Sequence, residues 1–150
     1  MRRLDLVVGS NGAGKSTFIA LVLAPLLPGS VIVKTVFSHP SKLDLLDEAH
    51  ARDFTVVVHA LLIPEELAVE RVARRVSAGG HRVPEGKIRD RYRRLWSLVV
   101  SALERADLAT VYDNSKIEGP RICARMAAGQ IIGAPEWPEW APVPLTSRWP

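Results

Sequence analysis

The chain of 150 residues predicts an α/β fold. We expect a three-layer sandwich on a mainly parallel sheet of about five strands, with a helical lid. Three observations support this expectation. A strand pattern at residues 4–8 leads through a glycine-rich turn into a helical pattern. The run Phe54–Ile63 is almost continuously apolar, which is typical of a strand buried on both faces of a parallel sheet. Strand and helix patterns then alternate, which favours right-handed crossovers.

The other elements follow in chain order. The sequence predicts strands at 31–37, 109–112 and 130–132, and helices that begin at Pro40, Pro64, Pro84 and Ile117. Pro64 is followed by Glu65 and Glu66, so the proline stands at the first helical position and the acids lie near the positive helix end. The apolar residues that follow recur at helical spacing and mark the buried face. The helix predicted from Ile117 extends to Ala128.

Composition bounds the class of protein. The apolar share of 47% and the charged share of 24% are those of an ordinary globular protein. Cys123 is the single cysteine, so no intramolecular disulfide can form, and a reducing, cytoplasmic setting is expected. No apolar run approaches the length of a membrane span, so no membrane partner is expected. We predict one domain over 1–134 and an irregular tail over 135–150, which holds five prolines and three tryptophans.

The turn after the first strand matches the phosphate-binding pattern G-x-x-x-x-G-K-[ST] at every fixed position. The predicted nucleotide-binding residues are Gly9, Ser10, Asn11, Gly12, Ala13, Gly14, Lys15, Ser16 and Thr17. Glycines let successive N–H groups turn toward phosphate oxygens, and the following helix adds its positive end. Lys15 can reach the terminal phosphates, and Ser16 can ligate Mg²⁺. The alternative is a glycine turn that only caps a helix.

A second feature is a concentration of positive charge. Residues 71–94 contain nine Lys and Arg residues against two acids. Two arginine-bearing helices joined by Gly79-Gly80 predict a mobile lid over about 77–94. Arg82, Arg91 and Arg94 stand at or beyond the glycines, and we predict that they act with Lys15 in catalysis by neutralising phosphate charge. The alternative is a pair of solvated helix faces with i, i+4 ion pairs, such as Glu85–Arg89 and Asp90–Arg94.

Several classes that share the phosphate loop fit poorly. Transporter ATPases need an L-S-G-G-Q signature and a strand ending in Asp-Glu, whereas Phe54–Ile63 contains no acid. The N-K-x-D guanine signature of GTPases is missing as well. Nucleic-acid binding through the basic segment is disfavoured, because that segment has no interleaved aromatics apart from Tyr92 and Trp96. A small-molecule kinase with a lid fits better.

The motifs also occur in the order found in a known family. Besides the phosphate loop they are Thr35-Val36-Phe37-Ser38, Leu62-Ile63-Pro64-Glu65-Glu66-Leu67-Ala68, Arg71-Val72-Ala73-Arg74-Arg75-Val76, Gly79-Gly80-His81-Arg82-Val83-Pro84, Arg91-Tyr92-Arg93-Arg94 and Tyr112-Asp113-Asn114-Ser115. Together they resemble the zeta-toxin family of P-loop kinases, which phosphorylate UDP-N-acetylglucosamine. The resemblance implies that Lys15 and Ser16 serve ATP and Mg²⁺ and that the lid arginines clamp the phosphates. It also implies that Thr35 and Ser38 bind a small-molecule acceptor, that Tyr112–Ser115 lie near the nucleotide, and that an antitoxin-like protein is a candidate partner.

The chain departs from this family after the first helix. Family members carry an Asp that is the proposed general base, and then a strand ending in Glu-Thr. Here a helical segment is shortened, the Asp is missing, and Lys34 stands in place of the Glu. Two hypotheses follow: an ATP-dependent kinase acting on a sugar nucleotide or similar hydroxylated molecule, or a nucleotide-binding relative impaired in transfer. Candidate substitutes for the base are Asp44, Asp47, Glu48 and His59, although His39 and His59 are better explained as a helix start and a core residue.

Overall fold

The computed structural model describes residues 2–26, 30–37, 39–80 and 82–150. Within these ranges one sheet has six strands in the order β2-β1-β3-β4-β5-β6. They are β1 (Arg2–Gly9), β2 (Val31–Thr35), β3 (Phe54–Leu62), β4 (Leu108–Asp113), β5 (Arg121–Ala127) and β6 (Gln130–Ile131). The first four are parallel, and β5 and β6 are antiparallel additions. The predicted α/β fold class is therefore confirmed, with one strand more than expected.

Helical segments connect most of these strands. They are α1 (Lys15–Phe18), which continues through a π-helical turn (Ile19–Leu23) into α2 (Ala24–Leu26), then α3 (Leu43–Ala51), α4 (Glu65–Ser77), α5 (Glu85–Arg105) and α6 (Val143–Arg148). A 3-10 turn, Pro40–Lys42, precedes α3. Helices α3 and α5 contact β3 and each other, whereas α1 lies against β1. The central strand β3 is almost wholly buried, as its apolar sequence predicts.

One predicted element is wrong. The segment predicted as a helix over Ile117–Ala128 contains strand β5, which pairs with β4. Cys123, Ala124 and Met126 are buried there, while Arg125 is exposed. The alanine, methionine and arginine residues favour a helix locally, but this preference is weak and the open edge of β4 supplies a full ladder of backbone hydrogen bonds.

The carboxyl-terminal tail is more ordered than predicted. Helix α6 lies in the segment expected to be irregular and packs on α5. Trp149 is buried, and its indole N–H donates to the Gly129 carbonyl at 3.2 Å. The Trp137 indole donates in turn to the Trp149 carbonyl at 2.7 Å. The aromatic residues thus attach the tail to the domain by both burial and hydrogen bonds. In the described part of the chain we find no helix with the length and apolar character needed to cross a membrane.

Candidate functional site

The phosphate loop lies at the carboxyl end of β1, where open α/β sheets bind their ligands. Gly12 and Gly14 both adopt the left-handed conformation, with φ of 80° and 88°. A side chain at Gly14 would also collide with Asn114, because a Cβ atom there would stand 2.7 Å from the amide nitrogen. The Ala13 N–H donates to the Ser10 carbonyl and the Phe18 N–H to the Gly14 carbonyl, which closes the loop onto the helix. The loop predicted over Gly9–Thr17 thus joins strand and helix as its motif requires.

Lys15 points back into this loop. Its ammonium donates to the Gly9 carbonyl at 3.0 Å and to the Ser10 carbonyl at 2.9 Å. The pKa of Lys15 is lowered to about 8, first by burial and then by the nearby charges of Arg75 and Lys34. The neighbouring positive charges repel one another, and a bound anion reduces this repulsion. The site therefore favours a polyphosphate on electrostatic grounds.

The residues around Ser16 do not fit a protein-held magnesium ion. The Lys34 ammonium donates to the Ser16 hydroxyl at 2.5 Å, so the oxygen predicted to ligate Mg²⁺ already faces a cation. Mg²⁺ is usually held by one or two carboxylates in addition to phosphates. The residues that line the adjoining cavity include no Asp or Glu, and no group of three His, Cys, Asp or Glu residues in the described ranges could hold a metal ion. The role of Ser16 as a metal ligand stays a prediction, and the described lining supplies no carboxylate to assist it.

Two cavities flank the loop. Cavity A, about 460 Å³, is lined by Gly12, Gly14, Thr17, Phe18, Leu21, Val22, Arg71, Arg74, Arg75, Asn114, Lys116, Ile117, Gly119 and Pro120. Cavity B, about 320 Å³, is lined by Asn11, Gly12, Gly14, Lys15, Ser16, Lys34, Thr35, Val36 and Arg75. The two share Gly12, Gly14 and Arg75. A ligand held by the loop therefore has access to both cavities.

Helix α4 contributes cations that the sequence analysis did not assign to the site. The Arg71 guanidinium donates to the Gly12 carbonyl at 3.0 Å and to the Asn114 carbonyl at 3.2 Å. The Asn114 side-chain amide donates to the Ala13 carbonyl at 2.7 Å. Arg71 and Asn114 thus clamp the loop between α4 and the end of β4, while Arg75 lines both cavities. Arg71 and Arg75 are spaced i, i+4, which predicts that they share one face of α4. The sequence does not say that this face meets the loop.

The predicted lid arginines lie elsewhere in this structure. Arg82, Arg91 and Arg94 line neither cavity, and the Arg94 side chain bonds to the Asp90 carbonyl of its own helix. Their role in a phosphate clamp stays a prediction, and it requires α5 to approach the loop. Among the other basic residues of this segment, Arg89 and Arg93 bind acids of α4 and α5, as the alternative interpretation expected for part of the charge.

The glycine pair between these helices has a defined structural role. The Gly80 N–H donates to the Arg75 carbonyl at 2.8 Å and the Gly79 N–H to the Val76 carbonyl at 3.0 Å. Gly79 has a φ of 96°. This is the two-bond pattern that ends many helices, and it needs a residue tolerant of positive φ. The pair therefore caps α4, and its function as a hinge stays a prediction.

The acceptor-side predictions fall partly within the described residues. Thr35 lines cavity B, and its hydroxyl accepts a hydrogen bond from the Phe37 N–H at 3.1 Å. Ser38, and His81 of the quoted motif, lie outside the described residues. The prediction that Thr35 contacts the acceptor stays open, but its position at the carboxyl end of β2 is compatible with it.

The candidates for a substitute general base do not meet the site. His59 is buried in the sheet, where its Nε2 lies 2.9 Å from the Asp5 carboxylate and Arg3 holds the other side of that carboxylate. Burial lowers the pKa of His59. The acids of α3 face elsewhere: Asp47 pairs with Arg105 and Glu48 with Arg52, and Asp44 lines neither cavity. His39 accepts from the Ser41 N–H and begins the 3-10 turn, as expected for a helix start.

Comparisons with known proteins support the fold. Neither a family model nor a curated protein sequence matches the chain. The chain is similar to one in the crystal structure of AvrRxo1-ORF1:-ORF2 with ATP, with a TM-score of 0.67 and 11% identity. It is similar, with a TM-score of 0.65 and 11% identity, to one in the structure of AvrRxo1-ORF1:AvrRxo1-ORF2 with sulphate ions. Each match covers 88% of this chain and 60% of the other, so the chain spans less than two thirds of its structural neighbour.

Proposed function

We propose that this chain is an ATP-binding small-molecule kinase of the zeta-toxin type. It transfers the γ-phosphate of ATP to a hydroxyl of a sugar nucleotide or a similar acceptor. The observation that carries the proposal is that two cavities adjoin one phosphate loop and share Gly12, Gly14 and Arg75 in their linings. A kinase needs such an arrangement because donor and acceptor must meet in line at the transferred phosphoryl group.

Cavity A is the better place for the nucleoside. Its lining combines the Phe18, Leu21 and Pro120 side chains with the guanidinium groups of α4. A purine offers flat faces for such apolar and cationic groups and polar edges for backbone groups. The Ile117 side chain is fully exposed at this cavity, so a nucleoside bound there would remove apolar surface from water. The likeness in fold to a chain in the structure of AvrRxo1-ORF1:-ORF2 with ATP supports ATP as the proposed nucleotide.

Cavity B would then receive the acceptor. In the reaction, the acceptor hydroxyl oxygen forms a bond to the γ-phosphorus while the bond from that phosphorus to the β,γ-bridging oxygen breaks, and ADP leaves. The hydroxyl proton passes to a phosphate oxygen or to water, since the described lining of cavity B contains no carboxylate or histidine. Lys15, Lys34 and Arg75 supply the positive charge that the leaving ADP and the moving phosphoryl group need.

The same lining favours a second candidate function. Without a carboxylate near Thr35 the chain has no general base in the described part of cavity B, and a nucleotide-binding protein impaired in transfer would have this arrangement. General-base catalysis contributes about 10²–10⁴-fold. A kinase without it would thus be slow rather than inactive.

The test is transfer of labelled γ-phosphate from ATP to UDP-N-acetylglucosamine. Label on the sugar nucleotide that is lost in Lys15→Ala and kept in Lys42→Ala supports the kinase. Lys42 is an exposed lysine outside both cavity linings, so it controls for the loss of one positive charge. ATP binding with no transfer to this or other hydroxylated acceptors supports the second candidate. No ATP binding at all would contradict both.

A protein partner belongs to the same proposal. The structural neighbours come from complexes of AvrRxo1-ORF1 with AvrRxo1-ORF2, and the zeta-toxin resemblance implies an antitoxin-like protein. We propose such a partner for this chain. Co-expression with the protein encoded next to it, followed by size-exclusion chromatography, tests this, and elution of the two proteins as separate species would contradict it.

A further inference from the structure

The Ser16 hydroxyl of the phosphate loop is in contact with a cationic side chain of the protein. Lys34 stands at the carboxyl end of β2, beside β1, and its ammonium reaches across to the Ser16 hydroxyl at 2.5 Å. A magnesium ion bound to that oxygen would sit about 2.1 Å from it, in the space the ammonium occupies. Two cations on one small oxygen repel each other strongly at this range. Either the lysine leaves or the metal does not bind there.

The side chains around Ser16 favour the Lys34 ammonium over a metal ion in this space. Strand β3, which neighbours β1, ends in Leu61 and Leu62 and is followed by Ile63; all three are fully buried and their side chains offer no metal ligand. Asp113, the acid that ends β4, already has partners: its Oδ1 accepts from the Ser115 N–H at 2.9 Å and from the Ser115 hydroxyl at 2.6 Å, and its Oδ2 lies 3.8 Å from the Arg121 guanidinium. The described lining of cavity B adds Lys15 and Arg75 but no acid. All three charged side chains of this lining are positive, so they repel a divalent cation and attract a polyphosphate.

We propose that Lys34 takes the place of the divalent cation in this site, so that the chain binds the polyphosphate of ATP without magnesium. The inference rests on the proposed function, because it concerns the same nucleotide site. Lys34 approaches the loop from β2 and Lys15 from the start of α1, and together they present two ammonium groups to one phosphate chain. The Ser16 hydroxyl orients the Lys34 ammonium instead of a metal ion.

The experiment is calorimetric titration of the full chain with ATP, once in excess Mg²⁺ and once in excess EDTA. We expect the dissociation constant of the wild-type chain in EDTA to lie within about threefold of that in Mg²⁺. A charge-assisted hydrogen bond to phosphate predicts that Lys34→Ala weakens binding in EDTA by about tenfold or more. In this variant added Mg²⁺ should restore affinity, because the space beside Ser16 is open to the ion. Lys34→Arg should keep binding in EDTA, and Lys42→Ala should match the wild-type chain.

The outcomes separate the two proposals. Wild-type binding that requires Mg²⁺ would overturn the role of Lys34 and leave the kinase proposal intact. Lys34→Ala binding that equals wild-type binding in EDTA would overturn it as well. Absence of ATP binding in both conditions would instead contradict the proposed function, and with it this inference.

Discussion

The acid–base state of Lys15 should control nucleotide binding within an accessible pH range. Its pKa is lowered to about 8, first by burial and then by the charges of Arg75 and Lys34. A polyphosphate binds the ammonium form, so affinity should be greatest well below pH 8 and should decline as the pH rises through 8. An exposed lysine with its ordinary pKa near 10.4 would give no decline until well above pH 9.

The magnitude follows from the fraction of protonated lysine. With a pKa of about 8, the ammonium form falls from about nine tenths at pH 7 to about one tenth at pH 9. If neutral Lys15 contributes nothing, the association constant for ATP falls about tenfold over this range. Binding at pH 8 should also take up about half a proton, because the bound phosphates raise the pKa of Lys15.

Calorimetry at constant ionic strength, in buffers of different ionisation enthalpy, measures both the affinity and the proton uptake. Lys34→Ala removes one of the charges that lower the pKa of Lys15, so its decline in affinity should occur at higher pH than in the wild-type chain. Lys42→Ala should leave the pH profile unchanged. A wild-type affinity that is flat from pH 7 to pH 9, with no proton uptake, would show that Lys15 does not carry the binding charge assigned to it.

Three further predictions concern stability, each read from urea denaturation. Asp5→Ala should destabilise the fold by about 3 kcal/mol, because it leaves the buried His59 imidazole and the half-buried Arg3 guanidinium without the carboxylate that both contact. Burial alone would raise the pKa of Asp5, but hydrogen bonds from Arg3 and His59 lower it overall. The contribution of Asp5 to the free energy of unfolding should therefore be present near neutral pH and lost as the pH falls through the lowered pKa. A wild-type chain that is equally stable at pH 3 would contradict this. Tyr92→Phe should cost about 1–2 kcal/mol, since the hydroxyl donates to the buried Ile63 carbonyl at 2.8 Å, and an unchanged midpoint would remove that role. Trp149→Ala should cost about 3 kcal/mol, whereas Val143→Ala, which alters an exposed side chain, should cost almost nothing; equal effects of the two would mean that the tail is not attached to the core.

The phosphate loop, the central strand and two helix starts could be predicted from local sequence. The phosphate loop is a contiguous segment whose conformation depends on its own glycines, so its residues and its place between strand and helix are readable from the chain. The same holds for β3, whose apolar run reports burial on both faces. Helix starts at Pro64 and Pro84 were also predictable, because proline and acids act within one turn.

The remaining features depend on contacts between distant segments. Arg71 is 59 residues from Gly12 and 43 residues from Asn114 along the chain. It contacts both only because the fold places α4 beside the loop. Strand β5 formed where a helix was predicted, because an unpaired edge of β4 outweighed weak local preferences. Lys34 was noticed in the sequence as a departure from a family pattern, yet only the pairing of β2 with β1 showed that its ammonium faces Ser16. Local propensity acts through neighbours in the chain, whereas the charges that decide what this site binds are brought together by the sheet.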